Sequence, residues 1–195
     1  MKYQASNNQG EILPNKLGLK TEKEINEAEF EGFLRAEIYL TEKLTSRTKF
    51  NVKYILKLHA EAFKHLYDFA GKLRDVNLSK GGFPFAAAKF LPQTMQTFEK
   101  DVLDSLKNSY ENKEELIADI AVVHGELLFI HPFREGNGRT ARLLANLMVR
   151  KESYGSLRFE KVGKLEFEEY VAAVQNCGTK DYTKMINFIR SIFPD

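Results

Sequence analysis

Residues 131 to 142 read His-Pro-Phe-Arg-Glu-Gly-Asn-Gly-Arg-Thr-Ala-Arg, which puts one imidazole, one carboxylate, two glycines around an asparagine and three arginines into a single short stretch. His131 is the one side chain there whose ordinary titration lies near neutrality, so it is the candidate general base. Glu135 is a hard carboxylate of the kind that binds Mg²⁺, an ion that itself bridges phosphates. Arg139 and Arg142 are three residues apart and share a face if they lie on a helix, where their forked donors suit phosphate oxygens. A base, an oxygen ligand for a cation and an anion-binding cluster point to attack of a hydroxyl group on a phosphorus atom.

The surrounding sequence must position these groups. From Lys113 to Ile130, residues Leu116, Ile117, Ile120, Val123, Leu127 and Leu128 recur at helical spacing. That helix should stop near His131, because a residue before proline is pushed away from the α region. Helical spacing resumes with Leu143, Leu144, Leu147 and Met148, so the stretch is a helix–loop–helix junction with its glycines where the second helix starts. The first turn of a helix has unpaired N–H groups and a partial positive charge, which makes it an anion site. Gly136 and Gly138 would let that backbone approach a phosphate. The loop is neither a Walker A motif, lacking the Lys-Ser/Thr pair, nor a Rossmann fingerprint.

The rest of the chain also reads mainly as helix. Thr21 and Glu24 form a capping box ahead of Phe30, Leu34 and Ile38, predicting a first helix to about Leu44. Asn51 can cap a second, whose stripe of Val52, Ile55, Leu56, His59, Phe63 and Leu66 faces the core. Glycines and prolines at 71, 81, 82, 84 and 92 then break the period, "KLRDVNL" alternates like a strand, and a small β-hairpin is expected. A helix follows through Met95, Phe98, Val102 and Leu106, and two shorter ones lie near 167–174 and 181–192. Residues 1–20 lack periodicity and read as an arm, leaving 21–195 as one domain.

Composition bounds the class. The 195 residues are 43% hydrophobic and 12% aromatic with a net charge of +2, which suits a globular protein and argues against a polybasic nucleic-acid binder. No run of about 18 apolar residues suggests a membrane span, and the first residues lack the apolar core of a secretory signal, so a cytoplasmic location is expected. The single cysteine, Cys177, cannot form an intrachain disulfide and reads as a small buried residue.

The loop matches every position of the Fic-domain signature, His-Pro-Phe-x-Asp/Glu-Gly-Asn-Gly-Arg-x-x-Arg. "LYDFAGKLRDVNLSKGGFPFAAAKFL" resembles that family's segment leading into its flap hairpin, and "LEFEEYVAAVQNCGTKDYTKMINFI" resembles its C-terminal helices, so the resemblance covers roughly residues 50–190. It implies an all-α, Fic-type helical bundle with a small β-hairpin flap, transferring AMP from ATP to a Tyr, Ser or Thr hydroxyl of a target protein with release of pyrophosphate. On that resemblance His131 is the catalytic base and Glu135 the Mg²⁺ ligand. Asn137 with the Gly136 and Gly138 backbone cradles the α- and β-phosphates, and Arg139 and Arg142 bind the outer phosphates. Phe133 is a buried anchor, and Arg134 occupies a variable position. Lys80, Gly81, Gly82, Phe83 and Phe85 resemble the flap that holds the target by strand pairing.

Two other readings of the loop stand beside this one: transfer of another nucleotide or phosphate-containing group, and a silent nucleotide-binding scaffold. Relatives that use other donors often alter the motif, and the silent form would lack the histidine that is present here. Doc-like kinases change the positions after Asn137, against which Gly138 and Arg139 stand. In the family, an inhibitory helix with a Ser/Thr-x-x-x-Glu-Gly/Asn pattern sets its glutamate on the second motif arginine, here Arg142. Glu31-Gly32 is a near miss with Glu27 in place of the hydroxyl residue, and "LPNKLGLKTEKEINEAE" resembles the opening of family toxins restrained by a small partner. The expectation is therefore a toxin-like enzyme held by a small antitoxin, with delivery to a host cell and a homo-oligomer left open. His59 and His65 read as structural or solvated, and His124 as a core residue. The "HGE" at His124–Glu126 lacks the cysteine partners of a zinc deaminase.

Overall fold

A computed structural model describes residues 4–5, 12–80, 82–161 and 164–194. Among them the helices are α1 (Glu22–Glu42), α2 (Val52–Phe63), α3 (Leu91–Asp101), α4 (Lys113–Ile130), α5 (Asn137–Lys151), α6 (Lys164–Cys177) and α7 (Thr183–Ile192). A small antiparallel sheet orders β1 (Gln4–Ala5), β2 (Leu78–Lys80) and β3 (Phe83–Pro84) as β1-β2-β3. The fold is thus all-α with a minor sheet.

The helix starts form where the sequence supplies caps. Thr21 and Glu24 close the capping box of α1, Asn51 accepts from Tyr54 N–H at 2.8 Å, and Asn112 does the same for Glu115 at the head of α4. α4 is buried on nearly every side, as expected of a central helix. It packs against α5, α6 and α7, while α1 and α2 pair with each other and lean on α5. None of the helices described is long and apolar enough to cross a membrane.

α1 turns a different face inward from the one its large apolar residues mark. Phe30, Leu34 and Ile38 are exposed at 66%, 48% and 54%, and the buried face is Ile25, Glu29, Gly32, Ala36 and Leu40. Close approach explains the choice. A Cβ on Gly32 would sit 2.1 Å from the Ala62 carbonyl oxygen, so α1 and α2 meet where only glycine fits. That contact rotates Glu29 into the interior.

The hairpin also forms one step later than its alternation suggests. Residues before Leu78 run irregularly, because Arg74 N–H donates to the Pro132 carbonyl at 2.9 Å rather than to a sheet neighbour. The strand expected over "KLRDVNL" is thereby confined to its last residue.

Candidate active site

The loop between α4 and α5 is held from within. His131 ends α4 in a left-handed conformation, φ 55°. Phe133 is fully buried, and the Asn137 side chain clamps its backbone, accepting from Phe133 N–H at 2.8 Å and donating to Phe133 O at 2.7 Å. The amide of Asn137 is therefore spent on loop shape. Gly136 starts α5 at φ 76°, and a Cβ there would lie 2.2 Å from the Phe63 ring. Both conformation and space require glycine at that position. Gly138 differs: a Cβ there meets nothing within 4 Å, so the fold leaves open space beside the first turn of α5.

His131 is buried, and its Nδ1–H donates to the Leu128 carbonyl at 2.8 Å. That bond sets the tautomer and leaves the lone pair on Nε2. Burial drives its pKa down to about 3, with Lys80 and Arg74 adding to the effect and the Leu128 bond opposing it. The ring is therefore neutral throughout the physiological range, the form a base requires. Phe85 stacks on it with centroids 3.7 Å apart.

The charged groups divide between two sides. Arg139 donates to Glu29 at 2.6 Å and to Glu135 at 3.4 Å, with its guanidinium over the rings of Phe33 and Phe63. Glu135 also accepts from Gly136 N–H. Arg142 is exposed and lies close enough to Lys80 to act on it: burial lowers the Lys80 pKa, Glu135 raises it and Arg142 lowers it. The flap residues Phe83 and Phe85 are half-buried over this region, Phe83 near Phe129, and Gly82 is exposed at the turn. Gly81 lies outside the described residues. Among those described, no group of three or more His, Cys, Asp or Glu side chains could hold a metal ion alone.

Two residues essential to this geometry carry no local signal. Arg74 is buried and donates from Nε to the His131 carbonyl at 2.8 Å, from Nη1 to Val76 O at 2.7 Å and from Nη2 to Ala86 O at 2.5 Å. It ties His131 to both ends of the hairpin. His59, expected to be structural or solvated, is fully buried; its Nδ1 accepts from Gly71 N–H at 2.8 Å, so its Nε2–H donates to the Glu135 carbonyl at 3.0 Å. Its ring stacks on Phe133 at 3.8 Å. Glu31, by contrast, points to solvent beside Arg35, and the buried glutamate of α1 is Glu29. His124 is a core residue, bonded to the Ala141 carbonyl and the Tyr170 hydroxyl.

Known proteins resemble this chain in sequence and in fold. The protein adenylyltransferase VbhT of Bartonella schoenbuchensis is 28% identical over 162 residues, 78% of this chain and 33% of its own length. The protein adenylyltransferase Fic of Drosophila willistoni is 26% identical over 149 residues, 76% of this chain and 29% of its own. The chain thus spans about a third of these curated relatives. Among solved structures, the N-terminal FIC domain of Bep8 from Bartonella sp. 1-1C superposes with a TM-score of 0.77 at 21% identity, covering 93% of this chain and 90% of that one. BepC from Bartonella tribocorum, with bound AMPPNP, gives 0.73 at 19%, covering 94% and 93%. The Fic/DOC family model matches residues 49–149, a span that runs from the cap of α2 through the flap and the loop to the end of α5, and on that match the chain belongs to the Fic/DOC family.

Proposed function

We propose that the chain transfers AMP from ATP to a hydroxyl side chain of a target protein and releases pyrophosphate. The observation that carries this reading is the His131 tautomer: Nδ1–H is committed to the Leu128 carbonyl, so Nε2 keeps the lone pair that a general base needs. The target hydroxyl oxygen forms a bond to the α-phosphorus, the bond from that phosphorus to the bridging oxygen breaks, and the hydroxyl proton passes to His131 Nε2. Backbone N–H groups of Asn137 and Gly138 receive phosphate oxygens at the helix start, and the open space beside Gly138 accommodates them. Arg142 meets the outer phosphates, and Arg139 joins it while remaining tied to Glu29. The relatives' printed activity, protein adenylyltransferase, supports the same reading.

Glu135 fits a magnesium ion held jointly with phosphate. It contributes a single hard carboxylate at the loop, and the remaining ligands would be phosphate oxygens and water. When bound, the ion supplies charge neutralisation on the polyphosphate. The exposure of Arg142 also suits restraint by a glutamate from a small partner's helix, the antitoxin arrangement expected from the sequence.

Transfer of label from ATP to proteins of a cell lysate, compared between the unaltered chain and His131→Ala, tests the reading. Losing a general base should cut the rate by about 10²- to 10⁴-fold while ATP binding persists. Equal labelling by both proteins would overturn the role of His131.

A further inference from the structure

Both sides of β2 are occupied within this one chain. β3 pairs with one side, Ser79 opposite Pro84 and Lys80 opposite Phe83. β1 takes the other, Gln4 opposite Ser79 and Ala5 opposite Leu78, antiparallel. Leu78 is close to the chemistry: its carbonyl accepts from Phe85 N–H at 3.0 Å, and the Phe85 ring lies on His131. Any extended segment that paired with β2 beside the base would need the edge that β1 holds.

We propose that the chain's own N-terminal strand β1 is an intramolecular competitor for the edge of β2, which an extended target segment docking on the flap must displace. This rests on the reading of the flap as the target-binding element. An open strand edge offers a row of unpaired N–H and C=O groups and invites another strand. Two paired residues give a weak grip, but tethering raises their effective concentration to the order of mM. A target that docks more strongly than this threshold displaces β1, whereas weaker encounters are excluded. The N-terminal strand thus filters targets by affinity. Tyr3 and Ser6, which flank Gln4–Ala5 in the sequence, lie outside the described residues.

The test uses the full chain and the double variant Gln4→Pro with Ala5→Pro, which removes both N–H groups of β1. The probe is a fluorescein-labelled synthetic peptide of residues 1–10, MKYQASNNQG, with binding read by anisotropy in the absence of ATP. The variant should bind the peptide about tenfold more tightly than the unaltered chain, whose edge is filled in cis. Hydrogen exchange at residues 78–80 should speed up in the variant and slow again when the peptide saturates it. Exchange in α4, read in the same samples, reports whether the helical core is intact, and Gln4→Pro alone, at the position opposite Ser79, serves if the double variant is unstable. Equal peptide affinity in the two proteins, or unchanged exchange at 78–80 in a folded variant, would overturn the proposal. Neither readout involves nucleotide, so failure here is separate from failure of AMP transfer.

Discussion

Arg139, in the first turn of α5, donates to Glu29 of α1 at 2.6 Å across 110 residues of sequence, and Tyr67 donates to the other oxygen of the same carboxylate at 2.7 Å. Glu29 is 4% exposed, so this bond is an interior fastening between the N-terminal helix and the signature loop. Breaking such a pair leaves a charge with reduced compensation.

Glu29→Ala is therefore expected to lower folding stability by about 2–4 kcal/mol, near the lower end of the range for a broken buried pair because Arg139 still reaches solvent and Glu135. Glu31→Ala, two residues away on the exposed face, should change it by less than about 0.5 kcal/mol. Urea unfolding of the two variants checks the contrast, and similar losses would show that the face of α1 has been assigned wrongly.

The two loop glycines should behave differently. Gly136→Ala adds a left-handed conformation unfavourable to alanine and a contact with the Phe63 ring, for about 2–4 kcal/mol of destabilisation. Gly138→Ala should leave the thermal midpoint unchanged or slightly raised, since space is open there and a helix accepts alanine more readily than glycine. Its effect should fall on the ligand: the stabilisation that ATP with Mg²⁺ confers on the unaltered chain by mass action should shrink. A full ATP shift in Gly138→Ala would place the phosphates elsewhere.

Arg74 holds three carbonyls with one side chain. Arg74→Ala should cost about 2–4 kcal/mol, because several buried acceptors lose a charged donor at once. Arg74→Lys should recover less than half of that, since an ammonium group cannot span the same fork. Thermal unfolding, with amide exchange at residues 76–86, measures both effects. Full rescue by lysine would mean that charge alone matters at this site.

Three buried histidines set an acid limit. Burial holds His59 and His124 down to about 4 and His131 to about 3, against an ordinary value of 6.5. Below pH 6.5 the unfolded chain gains protons that the folded chain does not, so stability is complete above that pH and falls as pH drops towards 4. Each histidine contributes about 1.4 kcal/mol per pH unit in that window, or about 2 kcal/mol at pH 5. Denaturant unfolding at pH 7.5 and pH 5 should show the drop, and His124→Gln should reduce its slope by about a third. A flat profile between these pH values would mean that the rings are protonated in the folded state.

Much of the molecule was legible from contiguous residues. The caps at Thr21, Asn51 and Asn112 and the apolar period of α4 and α5 are short-range signals, because a helix is stabilised by groups three or four positions apart. The loop of residues 131–142 is likewise a local object: its backbone clamp runs from Asn137 to Phe133, and its histidine and glycines lie within a few residues of one another. The resemblance of that stretch to the Fic signature thus points to the family without reference to long-range packing.

Contacts between distant residues were not legible in this way. Phe30, Leu34 and Ile38 mark α1 as a helix but not the face it buries. That face was decided by the close crossing at Gly32 and Ala62, which gave Glu29 rather than Glu31 the inward position. Arg74 reads as one charge among many, and His59 as one ring in an apolar stripe, until the loop arrives beside them with carbonyls to be satisfied. β1 is described over two residues, Gln4–Ala5, too few to show a period, and it exists because β2 presents an edge to pair with. Local sequence determined which helices form and what chemistry the loop can hold, because propensity and hydrogen bonding between near neighbours act within a few residues. Only the tertiary structure decided which glutamate meets Arg139, what steadies His131 and which strand holds the flap, because these depend on steric fit and unpaired polar groups contributed by segments far apart in the chain.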